Sequence, residues 1–155
     1  MRRYEAKIAY LTGARAPETP NEHLELAYAL VRRKEHAAAL PHFEQALADS
    51  KIVDSPKGHR FHAACAAAVA STAGDPKEGL SKQAMDWLTA HVKELRTRLK
   101  EAHEHLTKPD LAADHKKQLS AYVTKVEAHL EQIRVTEVDL EPLRGASAFK
   151  ALFPE

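Results

Sequence analysis

The sequence has little of what secreted and membrane-spanning proteins need. Its single cysteine, Cys65, cannot form an internal disulfide, so a disulfide framework is excluded. The start MRRYEAKIAY lacks the continuous apolar core of a signal peptide, and no stretch approaches the roughly 20 apolar residues of a transmembrane helix. We therefore expect a protein of the reducing cytoplasm that has no membrane partner.

An excess of charge of either sign is also missing. Lysine and arginine number 23 against 22 aspartates and glutamates, which gives a formal net charge of +1. Because binding to nucleic acid depends on a basic field, this balance predicts no nucleic-acid partner. Charged residues make up 29% and apolar residues 44% of the 155 residues, which is typical of a globular chain with its own core.

Glycine and clusters of β-branched residues are scarce as well, whereas alanine, leucine, glutamate, lysine and glutamine are abundant. These residues favour helix, so the predicted fold class is all-α. We expect the first helices at residues 2–13, 22–33 and 36–50. Asn21 is the expected N-cap of the second of these helices.

A fourth helix is predicted to start at Asp54, Ser55 and Pro56 and to run through the alanine-rich residues 57–73. Because alanine leaves almost no side-chain bulk, this helix can approach its neighbours closely. A fifth helix begins either in the segment 75–78, which has a capping pattern, or after a delay at residues 79–81.

Apolar residues at alternating steps of three and four predict a heptad seam in each of two later segments. The first seam contains Met85, Leu88, Val92, Leu95, Leu99, Ala102 and Leu106, and the second contains Ala112, Leu119, Val123, Val126, Leu130 and Ile133. Because the break between them is short, we expect a long antiparallel helical hairpin over residues 80–135. The tail 136–155 is broken by Pro142, Gly145 and Pro154, so we expect at most two short helical turns that cap the core.

A shared spacing of small and large apolar residues marks the second and third predicted helices. The residues are Leu26, Ala27, Leu30, Ala39, Phe43 and Ala46. This pattern resembles one tetratricopeptide repeat, in which small residues permit two helices to cross closely and larger residues fill the space between them. The sequence departs from that repeat at three positions. Lys34 replaces the glycine of the tight turn, Lys51 replaces the terminal proline, and Pro41 should shorten or kink the start of the second helix.

One regular repeat, residues 21–51, therefore lies between an orphan half-repeat and a degenerate, alanine-rich repeat. The resemblance implies a TPR-like α-α superhelix, as a short array, over residues 1–90. The hairpin over 80–135 and a capping tail over 136–155 follow, and we expect the whole chain to form one continuous folded unit.

In tetratricopeptide proteins the first helix of each repeat lines the concave surface, so the resemblance implies a groove for a peptide or helix of a partner protein. The candidate binding residues are Leu24, Tyr28, Val31 and Arg32. The arginine could bind a carboxylate while the others supply apolar area. An equally good interpretation is that Tyr28 and Val31 pack against the first helix. Trp87, just off the first seam, either packs on the repeat layer or marks an interface.

A second resemblance concerns three later segments, HAACAAAVASTAG, QAMDWL and VDLEPLRGASAFKALF. Together they look like the carboxyl-terminal end of the repeat arrays attached to large bacterial serine/threonine protein kinases. The chain itself contains no glycine-rich phosphate loop and no catalytic-loop motif. The resemblance therefore implies a regulatory C-terminal part of a kinase-like polypeptide.

Candidates for catalysis or metal binding are weak despite ten histidines. His59, His62 and Cys65 are spaced three apart, and the two histidines could share a helix face as metal ligands. No acidic residue lies within that predicted helix to complete a site, and its alanines predict a buried, inert Cys65 thiol. We therefore expect no enzyme, no metal and no cofactor.

The sequence thus favours a non-catalytic protein–protein interaction or assembly module of tetratricopeptide type. Two alternatives stay open. One is a structural homo-oligomer built through the helical hairpin, and the other is the regulatory part of a kinase-like polypeptide.

Overall fold

The computed structural model describes residues 8–53, 55, 57–73 and 79–154. Throughout these residues the regular structure is helical, without a strand, which confirms the all-α class. A first helix, α1, is described over residues 8–11; the earlier part of the predicted helix 2–13 lies outside the described residues. The helices that follow are α2 (Pro20–Arg32), α3 (His36–Leu47), α4 (Ser50–Val53), α5 (His59–Ala70), α6 (Leu80–Leu106) and α7 (Ala113–Val135). A 3₁₀ helix (Val138–Leu140), α8 (Glu141–Arg144) and α9 (Ser147–Leu152) come last.

The start of α2 is fixed by a capping box formed by Thr19 and Glu22. The Glu22 N–H donates to Thr19 Oγ1 at 3.3 Å, and the Thr19 N–H donates to Glu22 Oε2 at 3.1 Å. Pro20 lies in the first helical turn, where a missing N–H is tolerated. The prediction of Asn21 as N-cap was wrong by two residues, because Thr19 has both a hydroxyl and a glutamate three positions later.

α2 and α3 pack against each other along their small residues. The residues with no exposed surface at this crossing are Ala27, Ala39, Phe43 and Ala46. The turn between the helices contains Lys34 at φ 64°, in the left-handed region that glycine favours. A lysine therefore adopts the backbone conformation that the glycine of a tetratricopeptide repeat would supply.

α3 begins at His36 and continues through Pro41, so the expected shortening of its start is absent. Pro41 is exposed, so water can satisfy the carbonyl that loses its helical hydrogen bond. The helix ends at Leu47 rather than at residue 50. The chain then forms the short α4, where the Lys51 N–H donates to Asp49 Oδ1 at 2.8 Å.

The alanine-rich helix α5 lies at the centre of the fold. Its alanines with at most 1% exposed surface are Ala63, Ala64, Ala66, Ala67 and Ala68. α5 packs against α3, α6, the 3₁₀ helix and α8, and small side chains allow these elements to approach it together. The helix begins at His59 instead of at the predicted segment 54–56; Ser55 is not helical, and residues 54 and 56 lie outside the described residues.

The two long helices α6 and α7 lie side by side and are joined by residues 107–112. The buried members of the predicted seams are Leu88, Val92, Ala102, Val123, Val126 and Ile133. Ala112, by contrast, is exposed and precedes α7. α6 begins at Leu80, and the segment 75–78 where an earlier start was considered lies outside the described residues.

The C-terminal residues fold back over α5 and α6. Leu140, Leu143 and Phe149 are buried, the 3₁₀ helix and α8 contact α5, and α9 contacts α6. This tail is more helical than predicted. Pro142 was expected to break the chain, but it lies in the first turn of α8, where proline is tolerated.

Candidate partner-binding groove

A cavity of about 690 Å³ opens between α2, α4 and the start of α5, and we call it the α2 groove. Leu24, Ile52 and the half-buried Tyr28 form its apolar floor. His59 and His62 contribute imidazoles from α5. A concave surface of this size with apolar and polar walls can receive side chains of a bound peptide.

Tyr28 is held in place by an imidazole from α5. Its hydroxyl oxygen lies 2.6 Å from His59 Nδ1, and its ring meets Phe43 edge-on with 5.5 Å between centroids. Burial raises the pKa of Tyr28 to about 12 and lowers the pKa of His59. Both groups are therefore neutral near pH 7, and one hydrogen bond joins α2 to α5 at the groove.

Positive charge surrounds the mouth of the α2 groove. Arg32, Lys51 and Lys57 are exposed lining residues, and Glu25 is the one acid among the described residues of the lining. Asn21 adds an amide at the start of α2. Three cations beside an apolar floor favour a ligand that carries carboxylates.

Three of the predicted binding residues come together in the structure. Leu24, Tyr28 and Arg32 line the α2 groove. Val31 does not line the groove and packs against the core. Trp87 also packs against the core and lies at a separate cavity of about 540 Å³ between α3 and α6.

Lys51, Ile52 and Lys57 line the groove but were not among the predicted binding residues. They belong to α4 and to the connection between α4 and α5, which the sequence pattern assigned to helix ends. Their place in the groove depends on how α5 packs against α3. Local periodicity carries no signal for that packing.

The metal candidates His59 and His62 both line the groove and both contact Tyr28, but among the described residues they do not belong to a common group of metal ligands. His59 Nδ1 is engaged by the Tyr28 hydroxyl. The His62 ring lies against Tyr28 and Phe61, with 5.5 and 5.7 Å between centroids. The two histidines therefore do not form a metal site with each other.

A second pair of imidazoles joins the two long helices. His91 Nε2 lies 3.3 Å from His129 Nε2, and Phe61 packs against both rings. Burial lowers the pKa of His91 to about 4, and the charges of His129 and Arg60 contribute to the shift. His91 is thus neutral near pH 7, so the pair acts as a polar contact inside the hairpin.

Comparison with protein-family models, with curated proteins and with solved structures finds no match to this chain. Among the described helices, none combines the length and apolar character that crossing a bilayer requires. Fold and groove together define a class, an all-α protein with a cation-rimmed groove between α2, α4 and the start of α5. Function is inferred from that groove.

Proposed function

We propose that the chain is a non-catalytic protein-interaction module of tetratricopeptide type and that the α2 groove binds a peptide or helix of a partner protein. The observation that carries this proposal is the apolar floor next to three cations. Leu24 and Tyr28 offer apolar area, and the Arg32 guanidinium can donate two hydrogen bonds to one carboxylate. The preferred ligand is therefore a segment in which apolar residues neighbour acidic ones.

Support for the repeat type comes from the crossing of α2 and α3. Ala27 and Ala39 are fully buried at the positions where a tetratricopeptide repeat needs small residues, and Phe43 is fully buried where it needs a large one. The left-handed backbone at Lys34 adds a second correspondence, since the repeat has glycine at that turn.

Support for a non-catalytic role comes from the protonation of the candidate nucleophiles. Burial raises the pKa of the Cys65 thiol, and the charges of Glu137 and Asp139 raise it further. Tyr28 keeps its proton as well, because its pKa is about 12. A protonated thiol and a protonated phenol are weak nucleophiles, so these groups suit packing and binding.

The proposal is tested by selecting ligands from a random peptide library displayed on phage. We expect the purified chain to enrich peptides in which apolar residues adjoin aspartate or glutamate. Binding of an enriched peptide, followed by fluorescence anisotropy, should weaken by roughly tenfold or more in Arg32→Glu, because the substitution replaces an attractive charge by a repulsive one. The wild-type affinity should also fall with added salt.

Lys125→Glu on α7 is the matched control, because it makes the same change of charge at an exposed residue outside the groove lining. The affinity of Lys125→Glu for the enriched peptide should equal that of the wild type. The proposal fails if Arg32→Glu enriches the same peptides as the wild type, or if Lys125→Glu weakens binding as much.

A further inference from the structure

Cys65 lies next to two carboxylates that come from the other end of the chain. Its Sγ, one carboxylate oxygen of Glu137 and one of Asp139 all lie within 4.8 Å of one another. The 3₁₀ helix Val138–Leu140 packs against α5 and thereby brings these acids to the thiol. The sequence alone does not indicate this group, because Glu137 and Asp139 are distant from Cys65 along the chain and the helix that contains Cys65 has no acidic residue of its own.

The thiol is buried without a polar partner. Cys65 is 7% exposed, and the structure records no hydrogen bond between its Sγ and any other described residue. Carboxylate oxygens of Glu137 and Asp139 lie near the sulfur. Without a cation, burial and the two carboxylates keep the thiol protonated, whereas a bound divalent cation would stabilise the thiolate beside them.

His62 lies on the same helix as Cys65 but outside the group whose ligand atoms lie within 4.8 Å of one another. His62 precedes Cys65 by three positions on α5, so both side chains lie on one face of the helix. Burial lowers the pKa of His62, and the negative charge of Glu137 opposes that shift, which places the imidazole within electrostatic reach of this carboxylate. His62 remains exposed to solvent on one side, so an ion could reach it.

The Glu137 carboxylate is already oriented by a neighbour. Gln132 Nε2 donates a hydrogen bond to Glu137 Oε2 at 3.0 Å. In metal sites a partner of this kind fixes the ligating carboxylate and raises the affinity for the ion. Asp139 is exposed and keeps freedom to rotate.

We propose that Cys65, Glu137 and Asp139 form a binding site for a zinc-class divalent cation, with a water or, after a change of rotamer, His62 as the fourth ligand. A thiolate and carboxylates are ligands that Zn²⁺ accepts, and a fourth ligand completes the tetrahedron. On binding, the Cys65 S–H bond breaks, its proton goes to solvent, and a bond forms between the sulfur and the metal. No oxidant or other reactant is involved.

The geometry needs a small contraction. Bonds of about 2.3 Å to sulfur and about 2.0–2.2 Å to oxygen or nitrogen place tetrahedral ligand atoms roughly 3.3–3.6 Å apart. The present separations of up to 4.8 Å close by rotation of the Asp139 and Glu137 side chains. The backbone of α5 does not have to move.

The His91–His129 pair is the competing location for a metal. Its two Nε2 atoms are 3.3 Å apart, which would also suit a tetrahedral ion. The charges of Arg60 and Arg98, however, act on His91 and disfavour a cation there. Where the histidine pair has two arginines nearby, Cys65 has two carboxylates, whose negative charge favours a cation. The Cys65 group is therefore the better site.

Cobalt reports on the sulfur directly. The metal-free chain is titrated with Co²⁺, and we expect one equivalent to produce a thiolate-to-cobalt charge-transfer band that added Zn²⁺ removes. The band should be absent in Cys65→Ser. In competition with a chromogenic zinc chelator, Glu137→Gln and Asp139→Asn should each lower the affinity for Zn²⁺ by about tenfold or more.

Asp139→Asn keeps the test valid if Cys65→Ser fails to fold, because Asp139 is an exposed side chain. His129→Gln is the control and should leave both the cobalt band and the zinc affinity unchanged. The proposal is overturned if no charge-transfer band forms, if Asp139→Asn binds Zn²⁺ as tightly as the wild type, or if only His129→Gln removes binding.

Discussion

Lys34 carries backbone strain that a single substitution can remove. Its φ of 64° lies in the left-handed region, where a side chain costs roughly 1–2 kcal/mol and glycine costs little. We predict that Lys34→Gly raises the free energy of unfolding by about 0.5–1 kcal/mol, since relief of strain outweighs the added freedom of the unfolded chain. Urea denaturation followed by circular dichroism measures the change.

Ala37→Gly is the control for the intrinsic cost of glycine. Ala37 is exposed in the first turns of α3, so glycine there should lower the free energy of unfolding by about 0.5–1 kcal/mol. If both variants are destabilised equally, the left-handed turn at Lys34 is not a source of strain.

At the level of single residues, the sequence indicated which side chains could bind a ligand, but it did not indicate which other side chains they contact. Tyr28 was assigned equally to the groove and to packing against the first helix; it lines the cavity, and its ring also packs on Phe43 of α3. Its hydrogen bond to His59 spans 31 positions along the chain. No pattern within α2 could have indicated that partner.

The helix α5 is the element whose packing most depends on small side chains. Ala67 has no exposed surface, and α5 is enclosed by α3, α6 and the C-terminal elements. We predict that Ala67→Leu lowers the free energy of unfolding by about 1–3 kcal/mol, because three added carbon atoms must push neighbouring helices apart. Urea denaturation of the purified variant tests this value.

Ala121→Leu on α7 is the matched control, because Ala121 is an exposed alanine in the middle of a long helix. The stability of this variant should stay within about 0.5 kcal/mol of the wild type. A tolerated leucine at position 67 would mean that α5 has space around it and that its alanines are not required for close packing.

At the level of elements, helix interiors were predictable and helix ends were less so. The buried Leu88, Val92 and Ile133 follow from heptad periodicity alone. The start of α5 at His59 does not follow from local sequence, because Pro56 is equally acceptable at a first turn. Pro142 was expected to break the tail, yet it lies in the first turn of α8, and packing of Leu140 and Leu143 stabilises this turn where propensity alone would not.

At the scale of the whole molecule, the features with chemical interest arise from contacts between distant segments. Composition was sufficient for the all-α class. The α2 groove, in contrast, requires α4 and α5 to meet α2, and the Cys65 group requires residues from beyond α7 to meet α5. A local period of 3.6 or 3.5 residues carries no information about either contact. The sequence therefore indicates only some residues of the α2 groove and of the Cys65 group.

Several histidines cluster around α5 in a way that couples the fold to pH. The pKa values of His59, His62 and His91 are all lowered, in each case chiefly by burial. The neutral form of each ring is therefore favoured in the folded state. The charged groups that act on His91 are His129, Arg60, His62 and Arg98, all of which disfavour a further positive charge.

These shifts predict a loss of stability as the pH falls from 7 to 5. The unfolded His91 has a pKa near 6.5 and the folded one near 4, so between these values the unfolded chain binds more protons. For His91 alone the loss at pH 5 is on the order of 2 kcal/mol.

Urea midpoints measured at pH 5, 6 and 7 should show this loss of stability. The change of the midpoint with pH should be smaller in His91→Gln than in the wild type or in the exposed control His105→Gln. Equal slopes in all three proteins would show that burial of His91 does not set the pH dependence. Glu22, whose pKa is lowered to about 2, adds its own effect only at more acidic pH, below its ordinary value of 4.5, so the chosen window separates imidazole from carboxylate titration.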